Sequence, residues 1–226
     1  MSRTIFRKTL ALILCGGTVA MTAGFARPSI SVQWLVAAVP PTTMQHFDLN
    51  VEIFSGTQWT DALVRQHVVE INRVYSVCNV AIGMLQVTTI AAPTGEVNLY
   101  RDIEFKGAGG LHDAAVALGR TSTLTLMLIR QFQEGIAGTA GIPRVYDRSL
   151  PEMVNRAWVT EETLEPTYVA ARDLSYVPEA HEIGHILLNA GHVSGRKNLM
   201  ADDYRDVNGE LDISQCAAIR SSPLVY

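Results

Sequence analysis

Apolar and polar residues near the start of the chain follow two different periods. Between positions 47 and 53 every second residue is apolar, which predicts a half-buried strand. After a short turn, Thr60 or Asp61 can cap a helix in which apolar side chains recur at about 3.6-residue spacing. The residues on this face are Leu63, Val64, His67, Val68, Ile71, Val74, Tyr75 and Cys78. A histidine on such a face is typical of a core or boundary position, so we leave His67 outside the candidate site.

The middle of the chain predicts further strands around one short helix. Runs of apolar and β-branched residues predict strands at 80–90, 97–105, 121–129 and 157–159, and a helix at 111–118. The element order is therefore a strand, a helix and then several strands.

The segment 135–143 differs in composition, because glycines alternate with small or β-branched residues before Pro143. Glycine-rich segments of this kind pack little and let another backbone approach closely. The alternative is an ordinary flexible loop.

The sequence HEIGH at 181–185 contains two histidines four residues apart, with a glutamate between them. The surrounding residues 177–188 predict a helix, because a proline and a glutamate suit its first turn and apolar residues follow. On a helix, residues i and i+4 lie on one face, so both imidazoles can bind one Zn²⁺ at about 2.0–2.1 Å. We therefore predict His181 and His185 as metal ligands. Glu182 points to their side, where a general base can reach a water molecule.

A catalytic zinc site takes three protein ligands, so one more ligand must come from outside this motif. His192 follows His181 by 11 residues, which on a continuous helix is about 16 Å and too far to share an ion. The helix must therefore end before His192, and the Asn and Gly in 189–191 tolerate the left-handed conformation of a helix end. We predict His192 as the third ligand. The competing candidates are His46, His67, His112, Asp202, Asp203 and Glu210.

The stretch HEIGHILLNAGH at 181–192, with Met200 soon after it, resembles the metzincin clan of zinc metallopeptidases. The usual clan pattern, HExxHxxGxxH, has a glycine where this chain has Leu188, and here the third histidine comes one residue late. Asn189 can take the place of the turn glycine. The resemblance implies an α+β fold with a mixed twisted sheet, an active-site helix and a small C-terminal subdomain. It also implies one catalytic Zn²⁺, a methionine turn at Met200 and a substrate-binding edge strand at 135–142.

Composition and charge exclude several classes of protein. The 226 residues are enough for one domain or two small lobes. A net charge of −4, without a Lys/Arg cluster beyond the N-terminus, excludes a nucleic-acid partner. The chain also lacks low-complexity tracts and internal repeats, which excludes a disordered protein and a solenoid.

Residues 1–26 are typical of a secretory signal peptide, because basic residues precede a short charge-free stretch that ends in small residues. Cleavage after Ala26 would remove three basic residues and leave 15 basic and 22 acidic ones, a net charge of −7. Residues 27–45 are then an N-terminal arm or a short pro-segment, and 46–226 form the catalytic domain. We expect an exported protein, secreted or periplasmic, without stable membrane association; an uncleaved anchor is the alternative.

Two cysteines, Cys78 and Cys216, remain after removal of the signal peptide. In an oxidising compartment they can form one disulfide, and the alternative is two buried free thiols. A disulfide would join the end of the first helix to a C-terminal helix that Asp212 or Ser214 can cap and that ends at Pro223.

These features together predict a secreted zinc-dependent endopeptidase that hydrolyses a peptide or protein substrate, with Glu182 as general base. Tyr204 can add a hydrogen bond to the reacting group. Two alternatives stay open: a secreted zinc-binding or interaction protein without turnover, and a gluzincin-like peptidase with a carboxylate such as that of Glu210 as third ligand. The sequence predicts neither the substrate specificity nor the oligomeric state.

Overall fold

The computed structural model describes residues 30–34, 44–102, 104, 107, 109–164, 177–194, 197–202 and 209–226. The predicted signal peptide at 1–26 lies outside these residues, as does most of the segment 27–45. Within the described ranges, no helix is both long enough and apolar enough to cross a membrane.

The described residues contain eight strands: β1 (Ile30–Trp34), β2 (Gln45–Phe54), β3 (Val80–Ile90), β4 (Asn98–Leu99), β5 (Leu124–Ile129), β6 (Gln131–Phe132), β7 (Gly138–Ala140) and β8 (Arg156–Thr160). Six of them form one mixed sheet in the order β1-β3-β2-β5-β8-β7. The four central strands are parallel, and β1 and β7 are antiparallel strands at the two edges. The prediction of a mixed sheet is confirmed.

The same part of the chain contains five α-helices: α1 (Asp61–Ser76), α2 (Leu111–Leu118), α3 (Pro143–Tyr146), α4 (Pro178–Leu187) and α5 (Ile213–Arg220). A 3-10 helix follows β8 at Glu161–Leu164. The side chain of Thr60 accepts a hydrogen bond from the N–H of Leu63 and caps α1. The side chain of Asp212 accepts one from the N–H of Gln215 and caps α5. Both predicted helix starts are confirmed.

Apolar clusters cover both faces of the sheet. On β5, Leu126 and Leu128 enter a cluster with α1 and α4, whereas Met127 and Ile129 enter a cluster with α2 on the other face. All six residues of β5 are buried, because a parallel central strand is covered on both sides. The sheet therefore holds α4 on a rigid, fully packed layer.

The predicted strand at 97–105 is too long, since among the described residues of this segment only Asn98–Leu99 form β4. The N–H of Tyr100 donates to the carbonyl of Gly109, and the N–H of Leu111 donates to the carbonyl of Tyr100. These two bonds turn the backbone away after β4 and close the loop on its own start. The strand-like sequence pattern continues past Leu99, but the strand itself ends there.

The C-terminal segment is tied to the main core. Cys78 and Cys216 form a disulfide that joins residues 138 positions apart, with 4.8 Å between their Cα atoms. Ile219 of α5 is fully buried in the same apolar cluster as α1 and α4. Tyr226 exchanges two backbone hydrogen bonds of 2.8 and 2.9 Å with His46 on β2. The last helix is therefore held by a disulfide, by packing and by the pairing of the residues that follow it.

Candidate metal centre

Helix α4 carries the HExxH motif and is buried along its whole length. Pro178 occupies its first turn, where the fixed φ of proline suits a helix start. Ile183 and Ile186 pack into the main core and fix the rotation of the helix. His181 and His185 lie one turn apart, with 4.8 Å between their ring centroids.

The end of α4 explains how the chain returns toward the motif. Asn189 has a φ of +49°, in the left-handed region. Its N–H donates to the carbonyl of Ile186, and the N–H of Ala190 donates to that of His185, the two bonds that define a Schellman motif. Asn189 Oδ1 also accepts a hydrogen bond of 2.8 Å from the N–H of Arg144, which ties the turn to α3. Of the residues 189–191 that the sequence offered for the helix end, Asn189 is therefore the one that takes the left-handed conformation.

The turn brings His192 beside the two helix histidines. Its Nε2 lies 3.2 Å from Nε2 of His181, and the three residues offer ligand atoms that all lie within 4.8 Å of one another. Two nitrogens bound tetrahedrally to one zinc ion at about 2.0–2.1 Å would be about 3.3 Å apart. The spacing of His181 and His192 therefore fits a shared ion. His181 and His185 are buried and His192 is exposed, so the cluster opens to solvent.

Backbone carbonyls face the other ring nitrogen of both helix histidines. His181 Nδ1 lies 2.5 Å from the carbonyl oxygen of Leu199, and His185 Nδ1 lies 2.9 Å from that of Ala190. A carbonyl oxygen only accepts, so Nδ1 carries the proton and Nε2 keeps its lone pair. Burial lowers the pKa of His185 to about 4, although its bond to Ala190 acts in the opposite direction. The imidazole is then neutral at neutral pH, as a metal ligand must be.

Glu182 is buried beside the edge strand β7. A Cβ atom at Gly138 would lie 2.7 Å from Glu182 Oε1 and 2.9 Å from its Cγ, so the strand can come this close only because residue 138 is glycine. Burial raises the pKa of Glu182 to about 8, while the positive charge of Arg101 lowers it and the Glu179 carboxylate raises it further. A cation held by the three histidines would lower this pKa, because an opposite charge favours the carboxylate form.

Met200 packs against α4 at a glycine. A Cβ atom at Gly184 would lie 2.5 Å from Met200 Sδ, so this contact also requires the missing side chain. The N–H of Met200 donates to Asn198 Oδ1 over 2.8 Å. The side-chain amides of Asn198 and Gln215 exchange hydrogen bonds of 2.8 and 3.0 Å. The turn around Met200 is therefore held by α5 on one side and contacts α4 on the other.

His67 lies outside the metal cluster, as predicted. Its Nδ1 is 2.9 Å from Oε1 of Glu179, whose side chain is fully buried. Burial lowers the pKa of His67, but the Glu179 and Glu70 carboxylates together outweigh this, so that the pKa is raised. His67 thus anchors the first turn of α4 to α1.

The remaining candidate ligands also lie outside the cluster. Among the described residues, the three-histidine group is the one set of side chains placed to hold a metal, and it includes none of His46, His112 and Glu210. Asp202 lines the same cleft as the histidines without joining them. Asp203 and Tyr204 lie outside the described residues. The described residues therefore give no support to a carboxylate third ligand.

Arg101 and the Asn198–Gln215 pair were not predicted as parts of the site, and Gly138 was predicted only as part of the edge strand at 135–142. Each acts on residues far apart from it in the sequence: Arg101 through its charge, and the others through direct contacts. The alternation of glycines at 135–143 was the one signal in the sequence, because it indicated a close approach of another part of the chain.

Comparison with protein-family models gave no match, and neither did comparison with curated proteins. Among solved structures, archaemetzincin from Methanopyrus kandleri is similar with 17% sequence identity and a TM-score of 0.49, over 81% of this chain and 97% of that one. Metalloproteinase-II from Bacteroides fragilis is similar with 13% identity and a TM-score of 0.49, over 80% of this chain and 54% of that one. Similarity at this level does not assign an activity to the chain.

Proposed function

We propose that the chain is an exported, zinc-dependent endopeptidase of the metzincin type. The observation that carries this proposal is the convergence of three imidazoles from a helix and the turn after it, beside a buried glutamate. His181, His185 and His192 would hold one Zn²⁺, and their donor set of three neutral nitrogens suits that ion. This is also the arrangement that keeps a fourth position open for water or substrate.

Zinc bound at such a site supplies a Lewis acid that polarises a carbonyl and lowers the pKa of water to about 7. Glu182 is the proposed general base. Its carboxylate accepts a proton from water as the C–O bond forms at the peptide carbonyl carbon, and then donates that proton to the departing amine nitrogen as the C–N bond breaks. The close approach of Gly138 on β7 would limit the movement of this carboxylate between the two transfers.

The edge strand β7 is the proposed binding site for the substrate backbone. It pairs with β8 along one edge, and within the described residues no strand pairs with the other. Residues Gly138 and Ala140 of this strand line the same cleft as the histidines. An extended peptide can therefore add to the sheet through main-chain hydrogen bonds, which fix its carbonyl groups without selecting side chains.

Export is proposed on two grounds. The sequence of residues 1–26 resembles a signal peptide, and the Cys78–Cys216 disulfide suits an oxidising compartment. Mass analysis of the protein recovered from outside the cytoplasm should give a chain that begins at residue 27. A full-length chain in the membrane fraction would instead indicate an uncleaved anchor.

Zinc analysis and a peptide-library assay test the proposed activity. The purified protein should contain one zinc per chain, and His192→Ala should weaken zinc binding by at least about 100-fold, because two imidazoles hold the ion poorly. Glu182→Gln is the matched control, since it should keep the metal and lose hydrolysis. Equal zinc affinity in His192→Ala would place the third ligand elsewhere. Unchanged turnover in Glu182→Gln would remove Glu182 from the mechanism, and zinc binding without any hydrolysis would favour a binding protein.

A further inference from the structure

One arginine from outside the metal motif lines the cleft. Arg101 follows β4 and shares the cleft with Gly138 and Glu182. Apart from the histidines and Glu182, the ionisable lining residues in the described part of the chain are Arg101, Tyr146 and Asp202. The rest of the lining is neutral, and the edge strand contributes small side chains. A permanent positive charge is therefore placed where a substrate would lie.

The backbone of Arg101 is fixed in position. Strand β4 pairs with β6, and the N–H of Arg101 then donates to both carboxylate oxygens of Glu134 at 3.1 Å. Glu134 immediately precedes the glycine that begins the cleft segment 135–142. The arginine is thus tied to the same segment that contains the proposed substrate-binding strand.

The guanidinium group is available to a ligand. The side chain is exposed, and among the described residues it forms no salt bridge with any carboxylate. The Glu134 carboxylate accepts from the backbone N–H of Arg101. The positive charge of Arg101 lowers the pKa of Glu182, but from a distance greater than that of a salt bridge. An arginine that served only to neutralise Glu182 would form an ion pair with it, and this one does not.

We propose that Arg101 binds a carboxylate of the peptide substrate within the cleft, so that the protein prefers substrates with an acidic side chain or a free C-terminus near the cleaved bond. This inference rests on the proposed peptidase function. Guanidinium and carboxylate form two parallel charge-assisted hydrogen bonds, a geometry that also orients the substrate. The edge strand binds any extended backbone, and Arg101 supplies the selection that the backbone contacts lack.

Matched peptides test the preference. In one set of peptides, Glu or Gln occupies each position around the cleaved bond in turn. Each peptide is made with a free and with an amidated C-terminus, so that a side-chain carboxylate can be distinguished from the terminal one. The wild-type protein should show kcat/KM about 10- to 100-fold higher for one acidic form than for its neutral partner. Arg101→Gln should reduce this ratio to about threefold or less, and Arg101→Lys should retain part of it. Arg120→Gln is the control, since Arg120 is largely exposed and pairs with Glu152 at 3.6 Å outside the cleft.

Two results would overturn the proposal: equal rates for acidic and neutral peptides in the wild type, or an equal fall for both in Arg101→Gln. The second result would mean that Arg101 acts on Glu182 or on the reacting carbonyl. A binding experiment distinguishes failure of the Arg101 proposal from failure of the proposed peptidase function. If the zinc-loaded wild type cleaves no peptide, the dissociation constants of acidic and neutral peptides are compared in Glu182→Gln with and without Arg101→Gln. A preference that needs Arg101 supports the site, and equal affinities reject it.

Discussion

At Gly138 and Gly184 the missing side chain lets Glu182 and Met200 approach the backbone closely. A Cβ atom at these positions would meet the two side chains at 2.7 and 2.5 Å. Neither glycine has a positive φ, so backbone strain is not the reason for glycine at either position. Both are required because other atoms occupy the space of the Cβ atom. These are the Met200 side chain at Gly184, and the Glu182 side chain together with the Trp158 carbonyl oxygen, at 2.9 Å, at Gly138.

Gly138→Ala should therefore displace the Glu182 carboxylate and shift the edge strand away from the Trp158 carbonyl, while leaving the three histidines in place. We expect kcat to fall about 100-fold with zinc content unchanged, because a displacement of about 1 Å in a catalytic group has an effect of this size. Gly109→Ala is the control, since its Cβ would make only an ordinary contact of 3.5 Å with Tyr100. Steady-state kinetics and zinc analysis on the same samples check the prediction. An unchanged kcat in a zinc-loaded Gly138→Ala protein would show that the carboxylate has room to move.

At Asn189, in contrast to the two glycines, the backbone conformation itself determines which residue fits. Its left-handed φ and its bond to Arg144 both favour asparagine, and a β-branched residue fits neither. Asn189→Val should lower zinc affinity by about tenfold or more and lower the melting temperature by several degrees. Gly191→Ala is the comparison, because Gly191 does not have a positive φ and its Cβ would lie 3.7 Å from Arg144. Equal losses in the two variants would contradict the role given to Asn189.

The sequence could predict His181, Glu182 and His185 because a single helix determines their relative positions. His192 followed from the length of that helix and from the residues that can end it. It could not be decided in advance that Asn189, and not Gly191, takes the left-handed conformation, since either residue tolerates it. Arg101 was beyond prediction, because the pairing of β4 with β6 and the Glu134 carboxylate bring it to the cleft.

Among the elements, α5 controls the turn around Met200. Asp212 and Gln215 form a capping box at its start, and the Gln215 amide also bonds to Asn198. Asn198 accepts the N–H of Met200, and the carbonyl of the residue between them faces His181 Nδ1. A chain of hydrogen bonds thus connects the first turn of α5 to a proposed metal ligand.

Gln215→Ala should loosen this connection. We expect zinc affinity to fall by up to about tenfold, because Gln215 acts on His181 only through Asn198 and the turn around Met200. Loss of the hydrogen bond that the N–H of Asp212 donates to Gln215 should cost about 1 kcal/mol of stability. Ser221→Ala, at the other end of α5, removes an exposed hydrogen bond to Ala217 and should leave zinc affinity unchanged. Competition with a zinc chelator measures both variants. Wild-type affinity in Gln215→Ala would mean that the turn keeps its shape without α5.

Most strands and helices could be predicted within a few residues, because their apolar period is set by the layer they pack against. The strand at 97–105 was predicted too long for a specific reason. The bonds of Tyr100 to Gly109 and Leu111 turn the chain, and both partners lie beyond the local sequence pattern. The pairing of Asn198 with Gln215 could not be predicted either, since the sequence does not indicate which helix residue a loop amide bonds to.

In the whole molecule, the disulfide joins two parts that the sheet alone does not connect. Cys78 follows α1, and Cys216 lies in α5, next to the residue that holds the Met200 turn. Both cysteines are buried in the main apolar cluster. Packing and the disulfide therefore both fix the position of α5. A variant without the disulfide shows how much packing contributes by itself.

Replacing both cysteines with alanine should lower global stability far more than it disturbs the metal centre. The chain-entropy model gives about 5 kcal/mol for a loop of this length, an upper value that corresponds to roughly 10–20 °C in melting temperature for a chain of this size. Zinc stoichiometry at 25 °C should stay at one, because Gln215 and the buried Ile219 still hold α5 in place. Thermal melts with and without a reductant provide the control: the reductant should lower the melting temperature of the wild type and have no effect on the double variant. If reduction leaves the wild-type melting temperature unchanged, then packing alone holds α5 and the disulfide does not stabilise the fold.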